Sequence, residues 1–406
     1  MTDPASVYLD HAATTPLDDR VARAMHAARD AAGLAANPSS PHPAGRRAAQ
    51  QVEGAREQVL TAVNAPDYAL TWTSGATEAD NLAILGLAMA SARRHSGRVR
   101  LLLTATEHPA VMAAARAAQA LGFRVETLPV RADGRLDCAT LAGALDDDVA
   151  LVSVAQVNSE TGVVQPLAEL APLVHEAGAR LHVDAAQGAG RLPLDVQALG
   201  VDLLALSAHK FYGPKGVGAL CHHPDVRLEP LLHGGGQQDG LRPGTLPVEL
   251  IAGMGEAFAM ADSDAERARL RRLHAQLYNA LEPLGGVIRN GRPDGSPHVL
   301  NLSFAGVHGL ALREALAPLQ VGFGSACSSG GTSPVLRAMG RPDALAHASV
   351  RFSPGRSTTA AGIEAVADEV AGVVQRLREA SPLWRELSEG RPLHEVYGVS
   401  TPLGVA

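Results

Sequence analysis

DLLALSAHKFYGPKG, residues 202–216, joins a short apolar run to a small polar cluster that holds two lysines. The run is leucine-rich and closed by turn residues, which predicts a strand ending near Ser207. Its apolar residues are consecutive rather than alternating, the pattern of a strand buried on both faces. Lys210 and Lys215 are the only lysines in a chain of 406 residues that otherwise carries 33 arginines. Arginine can replace lysine as a surface charge, but its guanidinium keeps its proton in proteins. A lysine retained at the end of a buried strand therefore points to chemistry that needs an amine.

Working outward, the same pattern repeats upstream. LTWT (70–73), LLLTA (101–105), ALVSVA (150–155) and RLHVD (180–184) read as further strands. Helix-like stretches at 77–92, 109–121 and 166–178 lie between them. Strands alternating with helices predict an α/β fold with a mostly parallel sheet covered on both faces. The helical pattern at 246–281 is too long for one compact helix, so it is expected to break and lead into a second unit. There HVLNLSF (298–304) and ASVRFSP (348–354) read as strands, with helices near 308–318 and 360–379. The expected division is a large domain over 16–255 and a smaller α+β domain made of 1–15 and 256–406.

Composition narrows the function classes. Apolar residues make up 46% of the chain, so a large core is expected. The net charge of −7 and the lack of a basic stripe argue against direct nucleic-acid binding. LAILGLAMA (82–90) is too short to cross a bilayer, which takes about 20 residues. MTDPASVYLD at the start lacks the basic and apolar regions of a signal peptide. Cys138, Cys221 and Cys327 are sparse and odd in number, which predicts a reducing, cytoplasmic setting without a disulfide framework.

In open parallel sheets, ligands bind beyond the carboxyl ends of the strands. Each expected strand here ends in polar residues: SGATEADN (74–81), Thr106-Glu107-His108, Gln156 with Asn158 and Ser159, Asp184 with Gln187, and His209-Lys210. If these strands are parallel neighbours, all five groups face one crevice. SGATEADN places Ser74, Gly75, Ala76 and Thr77 at a strand-to-helix turn, where free N–H groups and the helix dipole suit a phosphate. Ser74 or Gly75 followed by Glu78 also has the form of an ordinary capping box. There is no Walker A pattern and no G-x-G-x-x-G, so the nucleotide readings lose support. A phosphate site, a strand-end carboxylate and a strand-end lysine match the needs of pyridoxal 5'-phosphate. Lys210 can form its imine, Asp184 can hold its ring nitrogen protonated, Thr77 can bind phosphate oxygens, and His108 can lie on the ring.

The ordered motifs YLDHAATTP (8–16), TSGATEADN (73–81), TEHPAV (106–111), VDAAQ (183–187), SAHKFYGPKG (207–216), HGGGQQDGLRPGTLPV (233–248), GSAC (324–327) and RFSPGR (351–356) resemble those of cysteine desulfurases. These are enzymes of the class-V aminotransferase-like group that supply sulfur for iron–sulfur cluster assembly. The resemblance implies the fold-type-I architecture of pyridoxal-phosphate transferases, with a seven-stranded sheet, and a homodimer. It matches Lys210 to the imine lysine and His108 to the stacking histidine; freed Lys210, or His108, would move the α-proton. It matches Asp184 to the ring-nitrogen partner and Gln187 to the ring-oxygen contact. Ala76, Thr77, Ser207 and His209 match phosphate or ring contacts, and Thr245 a phosphate contact reaching in from the partner subunit. Arg351 matches the clamp on the carboxylate of L-cysteine, with Asn37 a second substrate contact. Cys327 matches the nucleophile that receives sulfur as a persulfide, on a small, glycine-rich and mobile loop.

Two departures from that family's pattern follow. Asn158-Ser159-Glu160 stands where the family shows Asn-Asn-Glu, so either Asn158 or the Ser159 hydroxyl makes the ring contact. The loop after Cys327, SSGGTSP, is shorter than in the cluster-assembly branch. SPLWRELSEG (381–390) resembles the segment that meets an iron–sulfur scaffold, and a thiolation enzyme is an alternative acceptor. A selenocysteine lyase or a small-amino-acid aminotransferase of the same fold remains the rival reading, though an aminotransferase has no use for the cysteine of GSAC.

Overall fold

The computed structural model describes residues 2–31, 36–94, 97–261, 263–324 and 332–398. Among them the strands, in chain order, are β1 (Tyr8–Leu9), β2 (Ala69–Thr73), β3 (Arg100–Thr104), β4 (Arg124–Leu128), β5 (Val149–Ala155), β6 (Arg180–Asp184), β7 (Leu203–Ser207), β8 (Gly218–His222), β9 (Val287–Arg289), β10 (Leu300–Phe304), β11 (Gln320–Val321) and β12 (Ser349–Phe352). Seven of them form one sheet in the order β2-β8-β7-β6-β5-β3-β4.

Successive side chains of the inner strands go to opposite faces of this sheet, and both faces are apolar. Leu102, Val152, Val154, Leu204 and Leu206 join a core with Val52, Val59 and Met254. Leu101, Leu103, Leu151, Leu203 and Ala205 join the other core, with Leu82, Ile84 and Val111. That is why these strands read as continuous apolar runs. The first face is covered by the helices Asp19–Ala31, Pro43–Ala62 and Val248–Ala259. The second is covered by Pro109–Ala118 and by a helix from Ala76 to Arg94 that includes a π-helical turn, Leu82–Gly86.

The five strands expected between residues 70 and 207 all form, but they are not five adjacent parallel neighbours. β8 lies between β2 and β7 and is antiparallel to both. Two antiparallel steps restore the direction, so β2 runs the same way as β7. The carboxyl ends of β2, β3, β5, β6 and β7 therefore open on one side. β4 is the other strand that the apolar pattern does not announce. It is an edge, paired only with β3, and RVETL keeps most of its side chains in solvent.

The second unit is built on the antiparallel sheet β12-β10-β9. The helices Asp264–Leu281 and Ala360–Glu379 pack on it, burying Leu273, Leu277, Val366 and Val370 with Leu302, Phe304, Val350 and Phe352. The long helical pattern does break, into Val248–Ala259 and Asp264–Leu281, with the Ser263 hydroxyl capping the second helix at Glu266 N. The N-terminal β1 pairs in parallel with β11, and Leu9 is fully buried in this second core. No helix among the described residues is long and apolar enough to cross a membrane.

Candidate active site

A cavity of about 580 Å³ opens at the carboxyl ends of the strands, lined from both units. Lys210 closes the short 3₁₀ turn Ala208–Lys210 that follows β7. Its Nζ donates to the carbonyls of Ala12 (2.8 Å) and Ala13 (2.9 Å). Its own carbonyl accepts from the buried Arg191 guanidinium at 2.9 Å, which also lies over the Tyr212 ring. The lysine is thus held at both its ends. The Ala12 carbonyl also accepts from Gln187 Nε2 at 2.8 Å, so the N-terminal segment ties the lysine to the turn after β6.

Asp184 ends β6, is almost fully buried, and accepts one backbone N–H, from Ala186 at 2.9 Å. Burial raises its pKa; the Ala186 bond, His108 and Lys210 oppose the rise. His108 caps the helix Pro109–Ala118, its Nδ1 accepting from Ala110 N at 3.2 Å. Burial lowers its pKa, which favours the neutral ring with its proton on Nε2. His209 meets the Thr14 hydroxyl at 3.1 Å and is pushed down to about 4, by burial first and then by the two lysines.

The anion cradle follows from the turn after β2. Gly75 is the N-cap of the next helix with φ of +153°, a conformation that side chains disfavour. Gly218 of β8 lies against it: a Cβ there would fall 2.6 Å from the Gly75 Cα. Two glycines back to back bring the first turn, with Ala76 and Thr77, close to Ser207 and the cavity. Half of a capping box coexists with the cradle. Glu78 accepts Ser74 N–H at 2.7 Å, while Arg242 pairs with the same carboxylate at 2.8 Å. Gly75 N meets Thr73 Oγ1 at 3.4 Å, which leaves the N–H groups of Ala76 and Thr77 at the cavity wall for an anion.

Arg351 brings β12 of the second unit to the cavity. Its Nη1 donates to the Ser159 carbonyl at 2.8 Å, and its Nη2 pairs with Asp10 at 2.7 Å. Its buried Nε has no acceptor among the described residues. The Asn158 side chain is committed to its own loop. Nδ2 donates to Thr106 O, and Oδ1 accepts from Glu160 N, Thr161 N and Thr161 Oγ1. Asn158 and Ser159 both line the cavity, so both stay within reach of a ligand ring.

Two expected residues are not brought there by this chain, and a third lies outside the described residues. Thr245 is exposed outside the cavity. Asn37 spends its Oδ1 on Ser39 N at 2.9 Å and does not line it. Cys327 lies outside the described residues, although Gly324, three positions before it, is at the cavity wall. Cys221 is fully buried and pushed up to about 12 by that burial, so it is no nucleophile. Asp10, Ala12, Ala13, Thr14 and Arg191 are site residues that motif reasoning gave no role. The first four lie in the motif YLDHAATTP, which was the available signal. No metal-ligand cluster occurs among the described residues.

A buried carboxyl, a lysine amine, a neutral histidine, an open helix start and an arginine around one cavity fit pyridoxal phosphate group by group. The α/β architecture with this arrangement is that of fold-type-I pyridoxal-phosphate enzymes. The chain belongs to the class-V aminotransferase family: residues 7–366 match the model of the family described as Aminotransferase class-V. It is 43% identical over 401 residues to a cysteine desulfurase IscS from Glaesserella parasuis serovar 5, covering 96% of this chain and 98% of that one. It is 44% identical over 398 residues, with the same coverage, to a cysteine desulfurase IscS from Pseudomonas entomophila. A solved NifS-like protein superposes with a TM-score of 0.84 at 31% identity, covering 91% of this chain and all of that one.

Proposed function

We propose that this chain is a cysteine desulfurase that converts L-cysteine to L-alanine and passes the sulfur to Cys327 as a persulfide. The observation that carries the proposal is the convergence of Lys210, Asp184, His108 and Arg351 on one cavity. When bound, pyridoxal phosphate supplies an electron sink for charge developing at the substrate α-carbon. Lys210 would hold it covalently, and either freed Lys210 or His108 would move the α-proton. Asp184 keeps the ring nitrogen protonated. Gln187 would meet the ring oxygen and Asn158 or Ser159 the ring, while Ala76, Thr77, Ser207 and His209 would make the phosphate or ring contacts. Arg351 binds the substrate carboxylate, which shares the guanidinium with Asp10 or displaces it.

The Cys327 thiolate attacks the substrate sulfur. An S–S bond would form and the substrate Cβ–S bond break; its electron pair would stay on Cβ, which takes the substrate thiol proton, while the α-proton returns to the α-carbon to give alanine. The reading extends to a cytoplasmic homodimer whose partner subunit offers the exposed Thr245, and to an iron–sulfur scaffold or another sulfur acceptor as recipient. It includes Asn37 as a substrate contact once the substrate is bound. It also divides the chain into a domain over 16–255 and a smaller one made of 1–15 and 256–406.

The test uses two variants. Cys327→Ala is expected to keep the yellow colour of the cofactor and lose sulfide release from cysteine. Lys210→Ala is expected to lose the lysine-linked absorbance. Normal sulfide release by Cys327→Ala would overturn the persulfide step.

A further inference from the structure

The cavity has a second layer behind it that the reaction does not use. His182 lies two residues before Asp184 on β6 and therefore on the same face of the sheet. Its neighbour in register on β5 is Ser153, whose hydroxyl meets His182 Nδ1 at 2.8 Å. From the helix above, Asp80 approaches His182 Nε2 at 3.4 Å. Asp80 and His182 are fully buried, and neither Asp80 oxygen has a hydrogen-bond donor among the described residues. Glu107 lies beside them, also buried. Its Oε1 accepts from both Thr104 Oγ1 (2.6 Å) and Ala155 N (2.8 Å), while its Oε2 has no partner.

An ionised carboxylate enclosed without donors is far costlier than the neutral acid. The hydrogen-bond pattern agrees. Glu107 has one oxygen that accepts like a carbonyl and one left over for a proton. A protonated Asp80 can donate to His182 Nε2, and His182 then keeps its own proton on Nδ1 facing Ser153. The groups that face Asp184 are His108, Lys210, Asp80 and Glu107, with His182 behind it on the same strand. Asp80 and Glu107 thus stand in the electrostatic field of the Asp184 carboxyl.

We propose that Asp80, Glu107 and His182 form a charge-neutral layer beneath Asp184, with both carboxyls protonated, so that Asp184 holds the only negative charge in the layer that faces the cofactor ring. Asp80, Glu107 and His182 are positioning residues. By staying neutral they leave the pyridine proton a single acceptor and keep like charge away from Asp184. The inference rests on the reading of Asp184 as the ring-nitrogen partner.

The test is infrared spectroscopy of the purified holoenzyme in the carbonyl region of protonated carboxylic acids, at neutral pH. One band is expected to vanish in Asp80→Asn and another in Glu107→Gln, while Asp184→Asn removes none. Both isosteric variants should keep the pH midpoint of the visible cofactor absorbance within about 0.3 units of wild type, since they replace neutral groups with neutral groups. Asp184→Asn should shift that midpoint by more than one unit. In the unsubstituted protein the Glu107 band should fade as pH rises through about 8, a check that needs no variant. If neither Asp80→Asn nor Glu107→Gln removes a band, or if Asp184→Asn does, the neutral layer is wrong. If Asp184→Asn leaves the cofactor absorbance and its titration untouched, the ring-nitrogen reading fails instead, and the band pattern still decides the layer.

Discussion

Lys210 and Lys215 differ in what surrounds them. Lys210 is half-buried, with its amine on two carbonyls and its backbone held by Arg191. Lys215 is exposed at the cavity edge. Lys210→Arg should lower sulfide release by about three orders of magnitude, because the guanidinium cannot form the covalent link. Lys215→Arg should stay within about threefold, since an exposed charge is conserved. Comparable losses in the two steady-state assays would show that the roles are split wrongly. Arg351→Gln removes the charged partner proposed for the substrate carboxylate. It should raise KM for cysteine about 10- to 100-fold, as expected for losing about 1.5–3 kcal/mol of charged hydrogen bonding. Lys210 and Asp184 were marked by residue type and place at strand ends, and Arg351 by the family resemblance; all three line the cavity. Arg191 and Asp10 were not marked, because their partners are 19 and 341 residues away along the chain.

At the scale of the element, the sheet shows what pattern reasoning sees and what it passes over. Strands buried on two faces announce themselves as apolar runs, and β5, β6 and β7 were legible for that reason. β4 and β8 owe their strand state to a neighbour. β8 in particular, the short apolar run GALCH, fills an antiparallel slot between β2 and β7 that its own residues do not mark. The outer edge of β2 is closed by a side chain rather than a strand. The Gln238 amide bonds both the N–H (2.6 Å) and the carbonyl (3.0 Å) of Trp72. This capping covers backbone groups that would otherwise invite another strand. Gln238→Ala should cost about 1–2 kcal/mol in chemical denaturation and promote aggregation seen by light scattering. Gly75→Ala should be harsher on function than on folding. It forces a side chain into φ of +153°, costs about 1–3 kcal/mol, and disturbs the turn proposed to hold the phosphate. Equilibrium dialysis of the cofactor should then show weaker binding.

The whole molecule decides how charge is stored. Burial pushes the Glu107 carboxyl up to about 8 from an ordinary value of 4.5, despite two donors that oppose the rise. A raised folded-state value means that its contribution is present in full below the unfolded value and is lost as pH climbs through the folded one. Glu107→Gln does not titrate. Relative to wild type it should gain stability progressively between pH 4.5 and about 8, by a few kcal/mol, and level off above that. Urea unfolding at pH 5, 7 and 9 checks this; a pH-independent difference between the two proteins would mean that Glu107 is ionised throughout. The second unit is completed at its end by Arg378, which donates to the carbonyls of Leu284, Gly285 and Ala305 and lies 3.5 Å from the Trp384 ring centroid. That contact fixes the segment after Glu379 to the small sheet.

By itself the sequence determined the sequence-local features of this protein. These are the buried strands, the glycine turn at a helix start, a lysine kept at the end of a buried strand, and the family motifs in order. Each of these depends on a residue's own chemistry or on its near neighbours, so it is written in a few consecutive letters. Only the tertiary structure decided the rest. It inserted β8 so that β2 could face the cavity, laid the N-terminal segment across Lys210, carried Arg351 in from the second unit, and enclosed Asp80, Glu107 and His182 beneath Asp184. Those are matters of long-range contact and of exclusion from water, and the charge of a buried carboxyl follows from what surrounds it in space.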